Sequence, residues 1–161
     1  MTTLEDISIR AASIADIPAI IDLYQGTVRS VNARDYSPWH VEVWASGATD
    51  HRRWKMAIAE QYFVIAEVGG AAAGFGSIAK DGYLDFLYVH KDFQRRGVCS
   101  ALLVSLEQKA CEKKNQIIYS HVSRTAKGIF ERFGYSHEGD QEDLYQGVLF
   151  VNAVMVKQCE S

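Results

Sequence analysis

The chain of 161 residues contains no apolar run of the length that a membrane helix needs, about 20 residues. Its first residues also lack the charged segment and apolar core of an export signal. We therefore expect a protein that neither crosses a membrane nor is exported. The expected location is the cytoplasm, with no membrane partner.

Cysteine is scarce, with only Cys99, Cys111 and Cys159. Their number is odd, and their spacing fits neither a C-x-x-C motif nor a metal-binding pattern. We expect three reduced thiols and no metal site. Cys99 lies at a predicted helix N-terminus beside arginines, where a thiolate is favoured, but packing as a small residue is the preferred interpretation.

The chain has no excess of basic residues, since 17 Lys and Arg stand against 20 Asp and Glu, giving a net charge of -3. Nucleic-acid-binding modules usually carry a strongly basic face, so we expect no nucleic-acid partner. Apolar residues make up 48% and charged residues 23%, which is typical of a globular protein. The length predicts one domain over residues 1–161.

Neither common nucleotide motif, G-x-x-x-x-G-K-[ST] or G-x-G-x-x-G, is present. Instead, a strand ending at Leu87-Tyr88-Val89 is followed by the sequence Gln94-Arg95-Arg96-Gly97-Val98-Cys99-Ser100, a basic turn and the start of a helix. The first amides of a helix have no intrahelical partner and carry the positive end of the helix dipole. A glycine there lets the backbone approach an anion closely. This stretch therefore predicts a pyrophosphate site around Gly97.

Strand and helix patterns alternate along the rest of the chain. Period-two patterns predict strands at 7–10, 62–68, 71–79, 85–89, 117–122, 135–142 and 147–157. Capping residues and helical spacing predict helices from about 17, from Pro38 to Gly47, at 50–61 and at 98–114, the last ending at a left-handed Asn115. The helical crossover at 98–114 predicts that the strands on either side of it run parallel.

Two segments resemble motifs of the GNAT superfamily of N-acetyltransferases. The segment from Gln94 to Cys99 is similar to its Q/R-x-x-G-x-G/A signature, with Cys99 in place of Gly or Ala. Residues 123–135 resemble its N-x-x-A-x-x-x-Y-x-x-x-G-F pattern, with Ser123 for Asn and Phe130 for Tyr. The resemblance covers nearly the whole chain and is to small uncharacterised bacterial members. It implies an α/β (α+β) fold: a mixed, mostly antiparallel seven-stranded sheet with four to five helices, whose central parallel pair, the fourth and fifth strands, splays around the cofactor.

The resemblance also implies that acetyl-CoA is the co-substrate and that no metal is needed. Backbone groups of Leu87 and Val89 would pair with pantetheine, and a bulge in their strand would open the sheet. Residues 95–100 would cradle the pyrophosphate, while Ser123, Ala126 and Phe130, spaced to share one helical face, would line the other side. The expected cofactor-binding residues are Leu87, Tyr88, Val89, Arg95, Arg96, Gly97, Val98, Cys99, Ser100, Ser123, Ala126 and Phe130.

Acetyl transfer to an amine needs a neutral nitrogen and a proton for the departing thiolate. Asp85, two residues before Leu87, is the predicted base, acting directly or through water; its alternative role is that of a solvated or ion-paired strand residue. Phe130 stands where the family often has the tyrosine that protonates the departing thiolate, so the identity of the proton donor is left open. Tyr83 is taken with Asp85 as the predicted catalytic pair. The other candidate donors are water, Tyr119, Tyr135 and Tyr145.

The N-terminal helices of the family cover the acceptor side of the cleft, so Tyr36 and Trp39 are predicted to contact the substrate. The alternative for both residues is that their side chains pack in the core and do not contact the substrate. Further candidates are Trp44, His40 and His121. The predicted reaction is acetyl transfer to a primary amine of a small molecule or peptide, by direct attack in a ternary complex. The alternative is an acyl-CoA-binding sensor or interaction domain with little turnover. We expect a monomer or a homodimer.

Overall fold

The computed structural model describes residues 6–159. The strands are β1 (Ile7–Ala11), β2 (Tyr62–Val68), β3 (Ala71–Ile78), β4 (Leu84–Val89), β5 (Ile117–Val122), β6 (Ser136–Tyr145) and β7 (Val148–Gln158). The helices are α1 (Ile17–Ser30), α2 (Pro38–Ser46), α3 (His51–Glu60), α4 (Val98–Glu112) and α5 (Lys127–Arg132). None of these helices is both long and apolar enough to span a membrane. The single domain over residues 1–161 stays a prediction, and residues 1–5 and 160–161 of that range lie outside the described residues.

Hydrogen bonding divides the strands into two antiparallel sheets, β1-β2-β3-β4 and β5-β7-β6. The predicted parallel pairing of β4 with β5 is limited to one isolated bridge between Tyr83 and Tyr119. Beside it, the Ser120 hydroxyl donates to the Leu84 carbonyl at 2.7 Å. The predicted class, a mixed α/β fold with mostly antiparallel strands and five helices, is confirmed.

Local capping explains where the helices begin. Pro38 is the first residue of α2, and the Ser37 hydroxyl accepts a hydrogen bond from the His40 amide at 3.2 Å. At the end of α4, the left-handed residue is Lys114, with φ 64°, and the prediction for Asn115 is wrong. The backbone and side-chain amides of Asn115 both donate to the Ala110 carbonyl instead.

The first sheet has an apolar core on each face. Leu102, Leu103 and Leu106 of α4 are fully buried against one face. On the other face, α1 to α3 enclose Trp54, whose ring lies 4.8 Å from that of Phe86. Because successive side chains of a strand point to opposite faces, these two layers fix which residues of β2, β3 and β4 are buried on each side.

A disulfide joins Cys111, near the end of α4, to Cys159, just after β7, with 5.5 Å between their Cα atoms. The prediction of three reduced thiols is therefore wrong for these two. The two cysteines meet only in the folded structure. The Cys159 amide donates to the Gln116 carbonyl at 2.9 Å, and this hydrogen bond holds the end of β7 beside the end of α4. Cys99 is a free thiol.

Candidate active site

A cavity of about 540 Å³ lies where β4 and β5 separate. Its walls come from both strands, from α1 to α3 and from the β6–β7 hairpin. It brings together many of the residues singled out in the sequence. These are Tyr83, Asp85, Leu87, Tyr88, Val89, Cys99, Ser123, Ala126 and Phe130.

A bulge in β4 turns Asp85 into this cavity. The β3–β4 register pairs Ser77 with Phe86 and Ile78 with Leu84, so Asp85 has no partner on β3. As a result, Leu84 and Phe86 are buried in cores on opposite faces of the sheet, although they are two residues apart. Asp85, between them, is left at the cavity wall. The bulge that the sequence led us to expect is found at this residue.

Asp85 and Tyr83 lie at the same end of the cavity. The Asp85 carboxylate accepts a hydrogen bond from the Gln61 side-chain amide at 2.9 Å. Burial, and then the nearby charge of Asp85, raises the pKa of the Tyr83 hydroxyl to about 12. The pair therefore offers a half-buried carboxylate as an acceptor and a neutral hydroxyl as a donor.

The other candidate donors differ in position. The Tyr119 hydroxyl donates to Asp81 at 2.7 Å, and Tyr119 does not line the cavity. The Tyr135 hydroxyl donates to Glu107 at 2.8 Å, also away from the cavity, and burial raises the pKa of Tyr135 far above its ordinary range. Tyr145 does line the cavity.

The first amides of α4 point out of its N-terminus. Gly97 precedes the helix with φ 84°, its residue type offers no side-chain cap, and the amides of residues 98–100 have no intrahelical acceptor. Within residues 6–159, a Cβ atom at Gly97 would meet Ile7 at 3.7 Å, which is an ordinary contact. Arg95 and Arg96 directly precede this turn. The arrangement fits a pyrophosphate.

Cys99 lies in the first turn of α4 and lines the cavity. Burial raises the pKa of its thiol to about 11, so the thiol is neutral near pH 7. The packing interpretation therefore fits the structure.

The backbone of β4 offers hydrogen-bonding groups to the cavity. The His90 amide donates to Ala73 of β3, and because antiparallel pairing alternates, the groups of Leu87 and Val89 face away from β3. The Val89 carbonyl already accepts from the Thr27 hydroxyl at 3.0 Å and the Gln94 side chain at 2.7 Å. The Leu87 groups and the Val89 amide are thus the ones left for a pantetheine arm.

The opposite wall follows β5. Helix α5 begins at Lys127, so Ser123 precedes the helix and does not share a helical face with Phe130; its hydroxyl accepts from the Ala126 amide at 3.2 Å. Phe130 is 2% exposed. Sequence reasoning missed Thr125, whose buried hydroxyl has no hydrogen-bond partner among the described residues and lines the cavity.

The predicted substrate contacts Tyr36 and Trp39 do not line the cavity. The Tyr36 hydroxyl accepts from the Arg124 amide at 2.8 Å, and Trp39 is 65% exposed. Trp39 is in the first turn of α2, and Trp44, five positions later, faces the cavity from another side of the helix. Residues from several elements form this end of the cavity, namely Tyr24, Trp44, Arg53, Tyr145 and Phe150. Of these, sequence reasoning named only Trp44 and Tyr145, because the others depend on how the helices pack.

Residues 32–157 match the family model described as an acetyltransferase (GNAT) domain. The chain belongs to the GNAT acetyltransferase family. It is 30% identical over 152 residues to the uncharacterised N-acetyltransferase YafP of Escherichia coli (strain K12), covering 94% of this chain and 96% of YafP. The predicted family and enzyme class are confirmed.

Solved GNAT structures have the same fold. A GCN5-related N-acetyltransferase from Rhodopseudomonas palustris is 26% identical, with a TM-score of 0.93 over 98% of this chain and 99% of that chain. The PaiA N-acetyltransferase from Thermoplasma acidophilum, solved in complex with coenzyme A, is 20% identical, with a TM-score of 0.73 over 95% and 99%. In the described part of this GNAT chain, no cluster of His, Cys, Asp and Glu could hold a metal ion.

Proposed function

We propose that this protein transfers an acetyl group from acetyl-CoA to a primary amine of a small molecule or peptide, by direct attack in a ternary complex. The bulge at Asp85 carries the proposal, because it places a carboxylate in the cavity beside the β4 backbone groups of Leu87. A GNAT chain with a carboxylate at this point can accept a proton from the attacking amine.

The residues that would hold acetyl-CoA lie along one side of the cavity and its rim. The amides of residues 97–100, with Arg95 and Arg96 before them, would bind the pyrophosphate, and the free β4 groups would bind the pantetheine amides. Ser123, Ala126 and Phe130 would face the arm from the β5 side. When bound, acetyl-CoA supplies the acetyl thioester. The family membership and the coenzyme A complex of the Thermoplasma relative support this placement.

Asp85 and Tyr83 divide the proton transfers between them. Gln61 holds one Asp85 oxygen, and the other is free to accept a proton from the amine, directly or through water. As the nitrogen–carbon bond forms and the carbon–sulfur bond breaks, Tyr83 donates its proton to the departing sulfur. Its pKa of about 12 keeps the hydroxyl protonated until then. Positioning in one cavity supplies much of the remaining rate enhancement.

The second candidate function is an acyl-CoA-binding sensor with little turnover. It is motivated by Phe130, which has no hydroxyl and packs against the Tyr135 ring at 4.9 Å. A panel of amines with acetyl-CoA separates the two, with thiol release measured by a thiol reagent and coenzyme A binding by calorimetry. We expect binding and amine-dependent release. Binding without release on a broad panel supports the sensor, and no binding contradicts both functions.

Location and oligomeric state complete the proposal. We propose a cytoplasmic protein that is a monomer or a homodimer. Cell fractionation tests the first statement, and light scattering at several protein concentrations tests the second.

A further inference from the structure

Arg53 of α3 lies in the cavity wall. Its guanidinium carbon is 5.0 Å from the centre of the Phe86 ring and 5.4 Å from that of Trp54, so the two rings hold the side chain in place. Among the described residues, no carboxylate lies within ion-pair distance of it. The charge of Asp85 acts on Arg53, more weakly than Tyr24 does, and the Gln61 side chain donates a hydrogen bond to Asp85.

Two tyrosine hydroxyls lie beside this guanidinium, where each can accept a hydrogen bond from it and donate its own proton elsewhere. The hydroxyls of Tyr24 and Tyr88 both interact with Arg53, and their rings are 4.7 Å apart. Burial raises the pKa of both hydroxyls, so they are neutral. The Trp44 side chain, which can only donate, interacts with both. The cluster contains more donors than acceptors, which is the composition of an oxyanion site.

Gly47 brings the backbone close to both Arg53 and Tyr145. A Cβ atom at Gly47 would lie 3.3 Å from the Tyr145 hydroxyl and 3.6 Å from Nη1 of Arg53, so a larger residue would crowd them. The guanidinium and this hydroxyl therefore lie near each other at Gly47, and all three residues line the cavity. A small planar group entering here would meet donors from α3 and β6 together.

We propose that the acceptor of the proposed acetyl transfer is an amino acid or a similar amino-carboxylate, whose carboxylate binds Arg53 and Tyr145 while its amine faces Asp85. The planar guanidinium matches a carboxylate through two parallel hydrogen bonds. Asp50 and Asp143 also line the cavity, and their charges disfavour a doubly charged phosphate more than a singly charged carboxylate. Arg53 is then the residue that selects the acceptor, and the inference rests on the transferase function proposed above.

The test compares matched acceptors. Amino acids, their methyl esters and the corresponding decarboxylated amines are assayed with acetyl-CoA by thiol release. Charged hydrogen bonds contribute about 10- to 100-fold each, so we expect kcat/KM for the free acid to exceed that for its ester and amine by at least this factor. Arg53→Gln lowers kcat/KM for the acid by about the same factor and removes the preference. Arg53→Lys keeps the positive charge, so we expect it to retain part of the preference for the acid.

The matched control is Arg52→Gln, since Arg52 precedes Arg53 on α3, is also an exposed arginine and does not line the cavity. It should keep the preference for the acid. If amines and esters are turned over as fast as the acids, the proposed carboxylate site is wrong, while the proposed transferase function stands. An equal effect of Arg53→Gln on acids and amines also overturns it. Coenzyme A binding without release from any acceptor overturns both proposals.

Discussion

Asp85 owes its orientation to one unpaired position in the β3–β4 ladder. In a regular strand it would point to one core while Leu84 and Phe86 shared the other, but the bulge sends those two residues to opposite cores. The carboxylate therefore reaches the cavity without being buried among apolar side chains. A residue in this position can receive protons and still exchange them with solvent.

We expect Asp85→Asn to lower kcat by about 10²- to 10⁴-fold, the usual contribution of a general base. Coenzyme A affinity should change by less than about twofold, because Asp85 lies outside the α4 turn that binds the phosphates. Thiol-release kinetics and calorimetry measure the two quantities. Asp92→Asn, at an exposed carboxylate after β4, is the control and should have no effect on kcat. An unchanged kcat in Asp85→Asn removes Asp85 from the mechanism.

Tyr83 gives a prediction about pH. Its pKa of about 12 means that the hydroxyl stays protonated between pH 7 and 10, so it causes no loss of rate on the alkaline side of that range. Tyr83→Phe should lower kcat by about 10²-fold or more at every pH tested. Tyr119→Phe, at a neighbouring ring outside the cavity, should not. An alkaline fall with an apparent pKa near 9 that disappears in Tyr83→Phe would contradict the assigned protonation.

Sequence reasoning named Asp85 and Leu87, which both line the cavity, but not Arg53 or Thr125. Asp85 and Leu87 lie on one strand, where a two-residue spacing fixes their relation. Arg53 reaches the cavity only through the packing of Trp54 beneath the first sheet, and the buried hydroxyl of Thr125 depends on where α5 begins. The positions of Arg53 and Thr125 depend on tertiary packing, so the spacing of residues along the chain could not predict them.

At the scale of single elements, the turn before α4 depends on Gly97. Its φ of 84° is a conformation that other residues adopt only with strain, although a Cβ atom there would have room. We expect Gly97→Ala to weaken coenzyme A binding by about fivefold or more, because relieving roughly 1 kcal/mol of strain moves the first amides of the helix. Calorimetry measures the change. Gly128→Ala, in α5 with open space and an ordinary φ, is the control and should bind normally.

Arg10, Asp16 and Glu67 form an ion-pair network that joins β1, the turn before α1 and β2. Arg10 donates two hydrogen bonds of 2.9 Å to Asp16, and its Nε lies 3.2 Å from Glu67. Hydrogen bonding to Arg10 is the main cause that lowers the pKa of Asp16 to about 2. A lowered pKa stabilises the folded state above the ordinary value of 3.8, and this stabilisation is lost as pH falls through about 2.

We therefore expect Asp16→Asn to lower the free energy of unfolding by about 1 kcal/mol at pH 7, a value reduced for the exposure of Arg10. Denaturant titrations at pH 7 and pH 3 measure the difference, which should shrink at the lower pH. Asp22→Asn, at an exposed position of α1, is the matched control with no expected change. A difference of the same size at both pH values would show that the charge of Asp16 is not the cause.

Most element boundaries could be predicted because their signals are local. Ser37, Pro38 and Gly47 mark both ends of α2 in the sequence and in the structure. The start of α5 was harder to predict from the sequence, because Ser123 and Ala126 form a separate turn before the helix. The Asn115 side chain donates a hydrogen bond to the Ala110 carbonyl, and the left-handed residue is Lys114, one position before the predicted Asn115.

On the scale of the whole molecule, the division into two sheets was not predictable from the strand patterns. Strand β5 pairs with β7 and is joined to the first sheet by the Tyr83–Tyr119 bridge and by the hydrogen bond from Ser120 to Leu84. The seven strands and their antiparallel majority followed from alternation and turns, whereas the gap between β4 and β5 depends on long-range pairing. That gap is the cavity, and only the family resemblance, not the strand patterns, implied it.

The disulfide Cys111–Cys159 links the helix that follows the first sheet to the last strand of the second. It closes a loop of 48 residues, for which the chain-entropy model gives a stabilisation of about 4 kcal/mol. We expect Cys159→Ser to lower the free energy of unfolding by about 2–4 kcal/mol in denaturant titrations without reductant. Reductant should destabilise the wild type by the same amount and leave Cys159→Ser unchanged. Equal stability of the wild type with and without reductant would show that this bond does not hold the two sheets together.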